Sequence, residues 1–363
     1  MMESKFVGYR KKSNEEISEL WKNAYFTFDT NFLLNLYRYS ESSREDLVDI
    51  IKKLNSRIFI TNQVAFEFSK NRYENLNDII KNNRDFLKNI EKINDELSSN
   101  GSPFLSEILT DRFSNLIVEI NTEITENIQS YESYFSDDII FAQINTIFSK
   151  KILDEFDDER MLSIEKEGGM RYSKKIPPGY MDSKKEENKF GDLIIWKEII
   201  EFSKNKEVSV VFISDDSKED WIWKLKDGKT IGARPGLIQE FTKETNNNFH
   251  IYNSNGFAKF GSKYFDEKLN IKTIEEISKV NKEVRLSEYY EYLQSLDLDI
   301  IEEKLKILSP READLLRLNL GLNGKHKMPL KEIAETFDLD LSRVIQIRSN
   351  AVRKLINLKN HKS

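Results

Sequence analysis

Two predicted strands of the chain end directly in aspartates, and carboxylates in that position can do chemistry. The first strand, at residues 24–29, ends in Asp29, and a later one at 208–214 is followed by Asp215 and Asp216. In open α/β folds, ligands bind at the carboxyl ends of parallel strands. Carboxylates gathered there suit a hard divalent cation such as Mg²⁺, which prefers oxygen ligands. We therefore expect a metal site at one edge of the sheet.

Two further acids occupy positions from which they could join such a site. Glu67 lies on a predicted helix at 63–71 that follows a predicted strand at 57–61, and Asp192 opens a helix beside Gly191. Simpler explanations stay open for these two acids and for Asp29, which could only end its strand and cap the next helix. Glu67 could be a surface residue, and Asp192 could only cap its helix and interact with the helix dipole.

The elements that would position these acids alternate between strand and helix, which predicts parallel βαβ units. Apolar residues recur at helical spacing over 74–165, which indicates a long helical insertion with a break at 101–103. Two roles stay open for this arm, clamping of substrate and self-association. We predict an α/β domain at 1–260 that contains the arm, a helical linker at 261–305 and an all-α domain at 306–363.

The composition excludes several kinds of site. The chain has no cysteine, which excludes disulfides and Cys-ligated zinc or iron–sulfur centres. Its three histidines are widely spaced, which argues against a His-rich metal site. No apolar run reaches the roughly 20 residues of a membrane helix, and the N-terminus lacks a signal-peptide core, so we expect a cytoplasmic protein without a membrane partner.

The C-terminal segment differs from the rest in charge. From residue 301 onward, thirteen Lys and Arg stand against eight Asp and Glu, although the whole chain carries −6. Such asymmetry indicates either a nucleic-acid contact or a solvated basic face. Ser309 and Pro310 begin a helix that ends near Gly321, and two further helices follow, the last capped by Asp340. Two helices joined by a tight turn, the second one basic, are typical of a helix-turn-helix.

The acidic motifs resemble those of PIN-like nucleases. The resemblance rests on the motifs FDTN at 28–31, EF at 67–68, GD at 191–192 and ISDD at 213–216. Flanking segments are similar to one large, mostly bacterial PIN-like subfamily: PPGY at 177–180, GDLIIW at 191–196 and DSKEDW at 216–221.

This resemblance implies a three-layer fold and a metal-dependent nuclease that uses Mg²⁺ or Mn²⁺ to hydrolyse phosphodiester bonds. It assigns metal binding and catalysis to Asp29, Glu67, Asp192 and Asp216, with Asp215 competing for the last place. Asp216 is preferred because the family's acid stands two residues after a Ser or Thr. RNA is the commoner substrate among relatives, DNA stays open, and use as a toxin or in phage defence follows from the resemblance alone.

Four other residues are expected to support the acids. Asn31 would orient the loop in front of it, and Asp182 and Asp220 would lie just outside the metal ligands. For Lys218 two partners stay open, a phosphate group of the substrate and the neighbouring Glu219.

The C-terminal segment resembles region 4 of bacterial primary sigma factors. The matching motifs are LSPRE at 308–312, GL at 321–322, LKEIAE at 330–335, VIQI at 344–347 and AVRKL at 351–355. This resemblance implies that the last helix enters the major groove of duplex DNA. Arg343, Gln346 and Arg348 would then face the DNA, with Arg353 and Lys354 nearer its backbone.

Two alternatives stay open at this stage. The C-terminal segment could be a three-helix module that binds protein, including a transcription complex. The whole chain could be a non-catalytic DNA-binding regulator in which the PIN-like fold is only a scaffold. Whether the protein forms homo-oligomers is left open.

Overall fold

The protein is described by a computed structural model. It covers residues 6–99, 106–216, 218–225, 230–294, 298–322 and 327–359. The predicted fold class is confirmed, because a central parallel sheet is surrounded by helices and followed by a helical C-terminal region. The predicted break at 101–103 lies outside the described residues.

Strands of the described residues form two sheets. They are β1 Tyr25–Phe28, β2 Ile58–Phe59, β3 Val210–Ile213, β4 Ile222–Lys224, β5 Thr230–Ala233 and β6 Phe249–Tyr252. The main sheet has the order β2-β1-β3-β6 with all neighbours parallel, whereas β4 and β5 form an antiparallel hairpin. The register aligns Phe28 with Ile213 and Ile213 with Tyr252. The residues that follow β1 and β3 are therefore neighbours at one edge of the sheet.

The α-helices of the described residues connect and cover these strands. They are α1 Asn14–Asn23, α2 Thr30–Asn35, α3 Glu41–Leu54, α4 Asn62–Ser99, α5 Glu107–Ser133, α6 Ile139–Ile147, α7 Asp158–Ser173, α8 Gly191–Lys206, α9 Pro235–Thr245, α10 Ser254–Phe265, α11 Ile271–Gln294, α12 Leu298–Leu305, α13 Pro310–Leu320, α14 Leu330–Phe337 and α15 Leu341–Lys359.

The central strands β1 and β3 are largely apolar, because helices cover both faces of the sheet. On one face, Phe26 packs 4.8 Å from Trp21 and Phe28 packs 5.6 Å from Phe257, as measured between ring centroids. Phe212 of β3 is aligned with the middle of β1 and lies on the opposite face, where it is also buried. The sheet is thus a rigid base for the residues at its edge.

The helical arm is formed by α5 and by the part of α4 that lies beyond Glu67. The helix predicted at 63–71 and the first arm helix are in fact one helix of 38 residues. Partly buried polar contacts fix the base of the arm to the α/β domain. The Tyr37 hydroxyl donates to Asp138 at 2.7 Å, Arg72 lies 3.5 Å from the same carboxylate, and the Tyr131 hydroxyl donates to the Tyr37 carbonyl at 2.9 Å.

Helix α11 joins two hydrophobic cores. Ile277 and Val280 in its first part are buried in the core of the α/β domain, whereas Leu293 near its end is buried among apolar residues of α12, α13 and α15. The segment predicted as a linker therefore contributes to both cores. Among the residues that the structure describes, no helix has the length and apolarity needed to cross a membrane.

The predicted helix starts of the C-terminal region are confirmed. Ser309 and Glu312 form a capping box at the start of α13, with Pro310 in the first turn. The Asp340 carboxylate accepts a hydrogen bond of 2.8 Å from the Arg343 backbone at the start of α15. Helices α14 and α15 pack around a small apolar centre with α13.

Candidate functional site

Asp29 is held by hydrogen bonds at the point where β1 becomes α2. Its Oδ1 accepts from the Thr30 backbone at 2.8 Å, so the side chain caps α2. Its Oδ2 accepts from the Ser214 hydroxyl at 2.7 Å. Because β1 and β3 are in register, Ser214 is the residue that β3 brings to this side chain.

Asp216 is tied to the same hydroxyl group. The Asp216 backbone donates to the Ser214 Oγ at 3.1 Å, so one serine links the ends of β1 and β3. The Asp216 side chain is buried, and its Oδ1 accepts from the Lys218 backbone at 2.7 Å. The loop after β3 is thereby held against Asp29.

Glu67 is brought to the site by α4, and both of its carboxylate oxygens are bonded. Oε2 accepts from the Thr30 hydroxyl at 2.7 Å. Oε1 accepts from Gln63 at 2.8 Å and from Asn188 at 2.7 Å. Since Thr30 directly follows Asp29 in the chain, this contact places Glu67 beside the first aspartate.

Asp192 reaches the site because a glycine precedes it. A Cβ on Gly191 would lie 2.7 Å from Glu67 Oε1 and 2.6 Å from Asn188 Oδ1, closer than real Cβ contacts. Only glycine lets the start of α8 approach Glu67 so closely. Asp192 Oδ2 is buried and has no hydrogen-bond partner within the described part of the chain.

These four carboxylates, which we call the acidic cluster, repel one another. They are Asp29, Glu67, Asp192 and Asp216. Burial raises the pKa of Asp29 well above its usual value, and the charges of the other three acids raise it further against the Ser214 hydrogen bond. Burial together with neighbouring acids raises the pKa of Asp192 to about 6. The arrangement is that of a site with an excess of negative charge.

Asp220 fixes a neighbouring loop and is not a member of the acidic cluster. It is completely buried, and its Oδ2 accepts from the backbones of Gly179 at 2.9 Å and Met181 at 3.1 Å. Burial, followed by the charges of nearby aspartates, raises its pKa to about 7. Gly179 adopts a φ of 88°, and a Cβ there would lie 2.3 Å from the Tyr172 hydroxyl. The PPGY segment is therefore fixed against the site.

Lys218 contacts three acids. Glu219, the sequence neighbour that was one of its two expected partners, is not one of them. Its Nζ lies 2.9 Å from Asp182, 3.2 Å from Asp216 and 3.6 Å from Asp192. Glu219 instead accepts a hydrogen bond of 3.2 Å from the Tyr180 hydroxyl. Although burial opposes the charge of Lys218, the surrounding carboxylates raise its pKa well above the usual value.

The structure does not bring Asp215 to the acidic cluster. Its carboxylate accepts hydrogen bonds from the Ser254 backbone at 2.9 Å, from Asn281 at 3.0 Å and from Asn35 at 3.3 Å, and also from the Ser254 hydroxyl. Successive residues after a strand point to opposite sides, so Asp215 and Asp216 serve different partners. Of the two competing aspartates, only Asp216 lies among the other acids.

Several residues that orient the acids were not foreseen from the sequence. Asn31, which was expected to orient the loop at Asp29, is not one of the residues that bond the acids in the described part of the chain. Ser214 and Thr30 make the hydrogen bonds expected of Asn31. Gln63 precedes Glu67 by one helical turn, and Asn188 stands in a left-handed turn with φ of 51°. The i, i+4 spacing of Gln63 and Glu67 was a usable signal.

Another unforeseen acid, Glu198, stabilises the start of α4. It is buried, and its carboxylate accepts a hydrogen bond of 3.2 Å from the Gln63 backbone. Burial raises its pKa to about 7. Since α4 carries Glu67, this cap supports the cluster indirectly.

The donor set of the acidic cluster fits a hard divalent cation. All four side chains offer carboxylate oxygens, and Asp192 Oδ2 is a buried oxygen that lacks a hydrogen bond. In the described ranges, however, no three acidic or histidine side chains already stand close enough to hold one ion. These side chains would therefore have to move closer together to bind an ion.

A cavity of about 430 Å³ lies beside Asp216, at the outer edge of β6. Its walls carry basic and aromatic side chains, which include Arg10, Lys11, Lys12, Lys224, Trp223 and Tyr252. Burial lowers the pKa of Lys12, and burial also lowers the pKa of His250 in the wall to about 3, so this imidazole is neutral. The cavity thus combines positive charge with ring surfaces.

The residues predicted to contact DNA separate into two groups on α15. Arg343, Gln346 and Arg353 are exposed, and their spacing places them along one side of the helix. Arg348 instead has its guanidinium 5.2 Å from the ring centroid of Tyr290 on α11. Lys354 forms an ion pair of 2.7 Å with Glu312 on α13.

Comparisons with known families match both parts of the chain. The family model described as "PIN like domain" matches residues 25–237, more than half of the 363 residues. A second model, "Sigma-70, region 4", matches residues 305–356. The first match contains all four members of the acidic cluster, and the second contains α13, α14 and most of α15.

Curated relatives match short segments of the chain. RNA polymerase sigma factor SigA of Nostoc sp. is 44% identical over 55 residues, which are 15% of this chain and 14% of that protein. RNA polymerase sigma factor RpoD of Neisseria gonorrhoeae is 37% identical over 57 residues, 16% of this chain and 9% of that protein. The chain therefore spans only a small part of these relatives. No solved structure matches it significantly.

Proposed function

The chain belongs to the PIN-like domain family, and from this premise we propose that it is a metal-dependent endonuclease that hydrolyses phosphodiester bonds, with RNA as the preferred substrate. PIN-like domains are generally nucleases and typically use divalent metals. One observation carries the proposal: acids from β1, α4, α8 and the end of β3 meet at one edge of the sheet. RNA is chosen because it is the commoner substrate among relatives.

The acidic cluster would hold Mg²⁺ or Mn²⁺. Such an ion, when bound, supplies an activated water and neutralises charge on the scissile phosphate. The protein's own contribution is orientation: Ser214 fixes Asp29 and the backbone of Asp216 from one hydroxyl, and Thr30 fixes Asp29 and Glu67. These bonds hold carboxylates together that would otherwise separate by repulsion.

A cleavage assay tests this proposal. Labelled single-stranded RNA and DNA would be incubated with the full chain in Mg²⁺, in Mn²⁺ and in excess chelator. We expect cleavage of RNA that depends on the metal and stops with chelator. The intact set of acids speaks against a non-catalytic scaffold, and a complete lack of cleavage on both substrates in both metals would favour that alternative.

The cavity beside Asp216 is proposed to receive a nucleotide of the substrate next to the cut. Aromatic side chains stack on bases of single strands, and basic side chains contact the phosphates between them. The cavity offers both, with Trp223 as the ring and Lys11 and Lys12 as cations. Asp216 belongs both to the cavity lining and to the acidic cluster, so we expect one strand to contact both.

Lys12→Met is expected to weaken binding of single-stranded RNA about tenfold at low salt, because one partly desolvated cation is removed from the cavity. Binding would be measured by fluorescence anisotropy in the Asp29→Asn background, where cleavage does not interfere. Lys22→Met is the matched control, since Lys22 is exposed on α1 and lies outside the cavity. Equal losses of affinity in both variants would remove the cavity from the substrate path.

The C-terminal helix-turn-helix is proposed to bind duplex DNA and so recruit the nuclease. The match to region 4 of sigma factors supports this, together with the exposed stripe of Arg343, Gln346 and Arg353 on α15. A basic helix of this kind contacts phosphates and base edges in the major groove. Arg348 and Lys354 contribute less to this surface because they pack against α11 and α13.

Arg343→Ala combined with Arg353→Ala is expected to weaken duplex DNA binding at least about tenfold. The salt dependence should also fall, by about one unit of slope for each phosphate that is no longer neutralised. Electrophoretic mobility or anisotropy at several salt concentrations would measure both. Lys306→Ala is the control, because this exposed lysine lies before the helix-turn-helix. Unchanged affinity at low salt would instead support a protein-binding module.

A further inference from the structure

We propose that Lys218 is a built-in cation that neutralises the metal-free acidic cluster and must leave it when a divalent ion binds. Its ammonium group lies within 4 Å of three carboxylates, those of Asp182, Asp192 and Asp216. Two of these are members of the acidic cluster. The inference rests on the proposed function, because it concerns the same metal site.

Lys218 differs from a lysine in an ordinary surface ion pair in its burial and in the number of acids that it contacts. The three acids come from separate segments: a turn at Tyr180–Asp182, the start of α8 and the end of β3. The Lys218 side chain is only 28% exposed, and its own backbone bonds Asp216 Oδ1 at 2.7 Å. The lysine is therefore anchored beside the acids and directs its charge between them.

A second lysine near the site forms only a simple ion pair with one of these acids. Lys185 lies 2.9 Å from the same oxygen of Asp182, but its side chain is 53% exposed and it follows that acid closely in sequence. Neither Asp192 nor Asp216 is within ion-pair distance of Lys185 in the described part of the chain. The two lysines thus share one acid, and only Lys218 also reaches the acidic cluster.

Lys218 lies against oxygens of the acidic cluster that a divalent ion would also bind. Asp192 Oδ2 and Asp216 Oδ2, the oxygens that face Lys218, are the atoms a cation would need. A divalent ion and an ammonium group at the same oxygens repel strongly in a buried site. Binding of the ion therefore competes with Lys218, and the displaced ammonium stays tethered within reach of a phosphate group bound at the same acids.

The test is the thermal stability of Lys218→Met, titrated with Mn²⁺ or Mg²⁺ and compared with the wild type. Without metal, the variant is expected to unfold at a lower temperature, because three largely buried carboxylates lose their shared cation. The Mn²⁺ concentration for half-maximal stabilisation is expected to fall about tenfold or more, since the ion no longer competes with a charge. Lys185→Met is the matched control, with no change in that concentration.

Outcomes of the titration separate this inference from the proposed function. Equal Mn²⁺ midpoints for wild type and Lys218→Met would overturn the inference and leave the metal site intact. If no variant responds to either metal, both fail. Should Lys218→Met not fold, Lys218→Gln, which keeps a polar group among the acids, takes its place with the same expected shift.

Discussion

Asp29→Asn is expected to reduce metal-dependent cleavage at least about 100-fold, the scale on which loss of one preorganised electrostatic group acts. Burial and the charges of the three other acids oppose the charge of Asp29. Gathering such groups at one place lowers stability, a cost that is common at functional sites. Asparagine has the same shape but supplies no charge to a metal.

The fold is expected to survive this change. The amide oxygen of the substituted asparagine could still accept the hydrogen bond from the Thr30 backbone that caps α2. One fewer negative charge relieves repulsion in the acidic cluster, so the metal-free variant should unfold at the same or a higher temperature than the wild type. Loss of activity with retained stability would separate a catalytic role from a structural one.

The control for Asp29→Asn is Asp158→Asn, which makes the same chemical change at an exposed acid in the first turn of α7. Its cleavage rate should equal that of the wild type. Initial rates of cleavage of labelled RNA at saturating Mn²⁺ would be measured for the wild type, Asp29→Asn and Asp158→Asn. Metal-dependent cleavage that persists at the wild-type rate in Asp29→Asn would remove Asp29 from the mechanism.

Asp215→Asn is expected to lower stability and to leave cleavage nearly unchanged. The same substitution at Asp216, the next residue, is expected to reduce cleavage and to leave stability nearly unchanged. The Asp215 carboxylate is 6% exposed and accepts four hydrogen bonds, from Asn35, Ser254 and Asn281. These donors come from α2, the start of α10 and α11. Replacing the charged acceptor leaves donors unpaired and should cost about 3 kcal/mol of unfolding free energy.

The neighbouring substitution Asp216→Asn is the matched comparison. It removes a member of the acidic cluster, so cleavage should fall at least about 100-fold as for Asp29. Thermal unfolding should place Asp215→Asn roughly 10 °C below the wild type and Asp216→Asn much closer to it. Cleavage by folded Asp215→Asn at low temperature should stay near the wild-type rate. If Asp215→Asn lost cleavage and Asp216→Asn lost stability instead, Asp215 would be the site acid and Asp216 the structural one.

The sequence was sufficient for the parts of the site that depend on local pattern. Apolar runs ending in acids predicted that β1 and β3 would deliver Asp29 and an aspartate of the 215–216 pair to one edge. The glycine before Asp192 and the Ser–x–Asp pattern of 214–216 were local signals too. Helix caps at Ser309 and Asp340 likewise follow from residue type and position.

Interactions between distant segments could not be predicted in this way. The structural role of Asp215 depends on Asn35, Ser254 and Asn281, which are far from Asp215 in sequence. The separation of Arg348 from the exposed stripe of α15 depends on Tyr290, which tertiary packing places beneath it. The position of Lys218 depends in the same way on Asp182, 36 residues away.

The most direct test of the metal site is diffraction from crystals of the full chain soaked in Mn²⁺, measured at a wavelength where manganese scatters anomalously. We predict a strong anomalous peak among the carboxylates of Asp29, Glu67, Asp192 and Asp216. Crystals at saturating Mn²⁺ with no peak there, or with the ion held only by other residues, would contradict the assignment of the acidic cluster as the metal site.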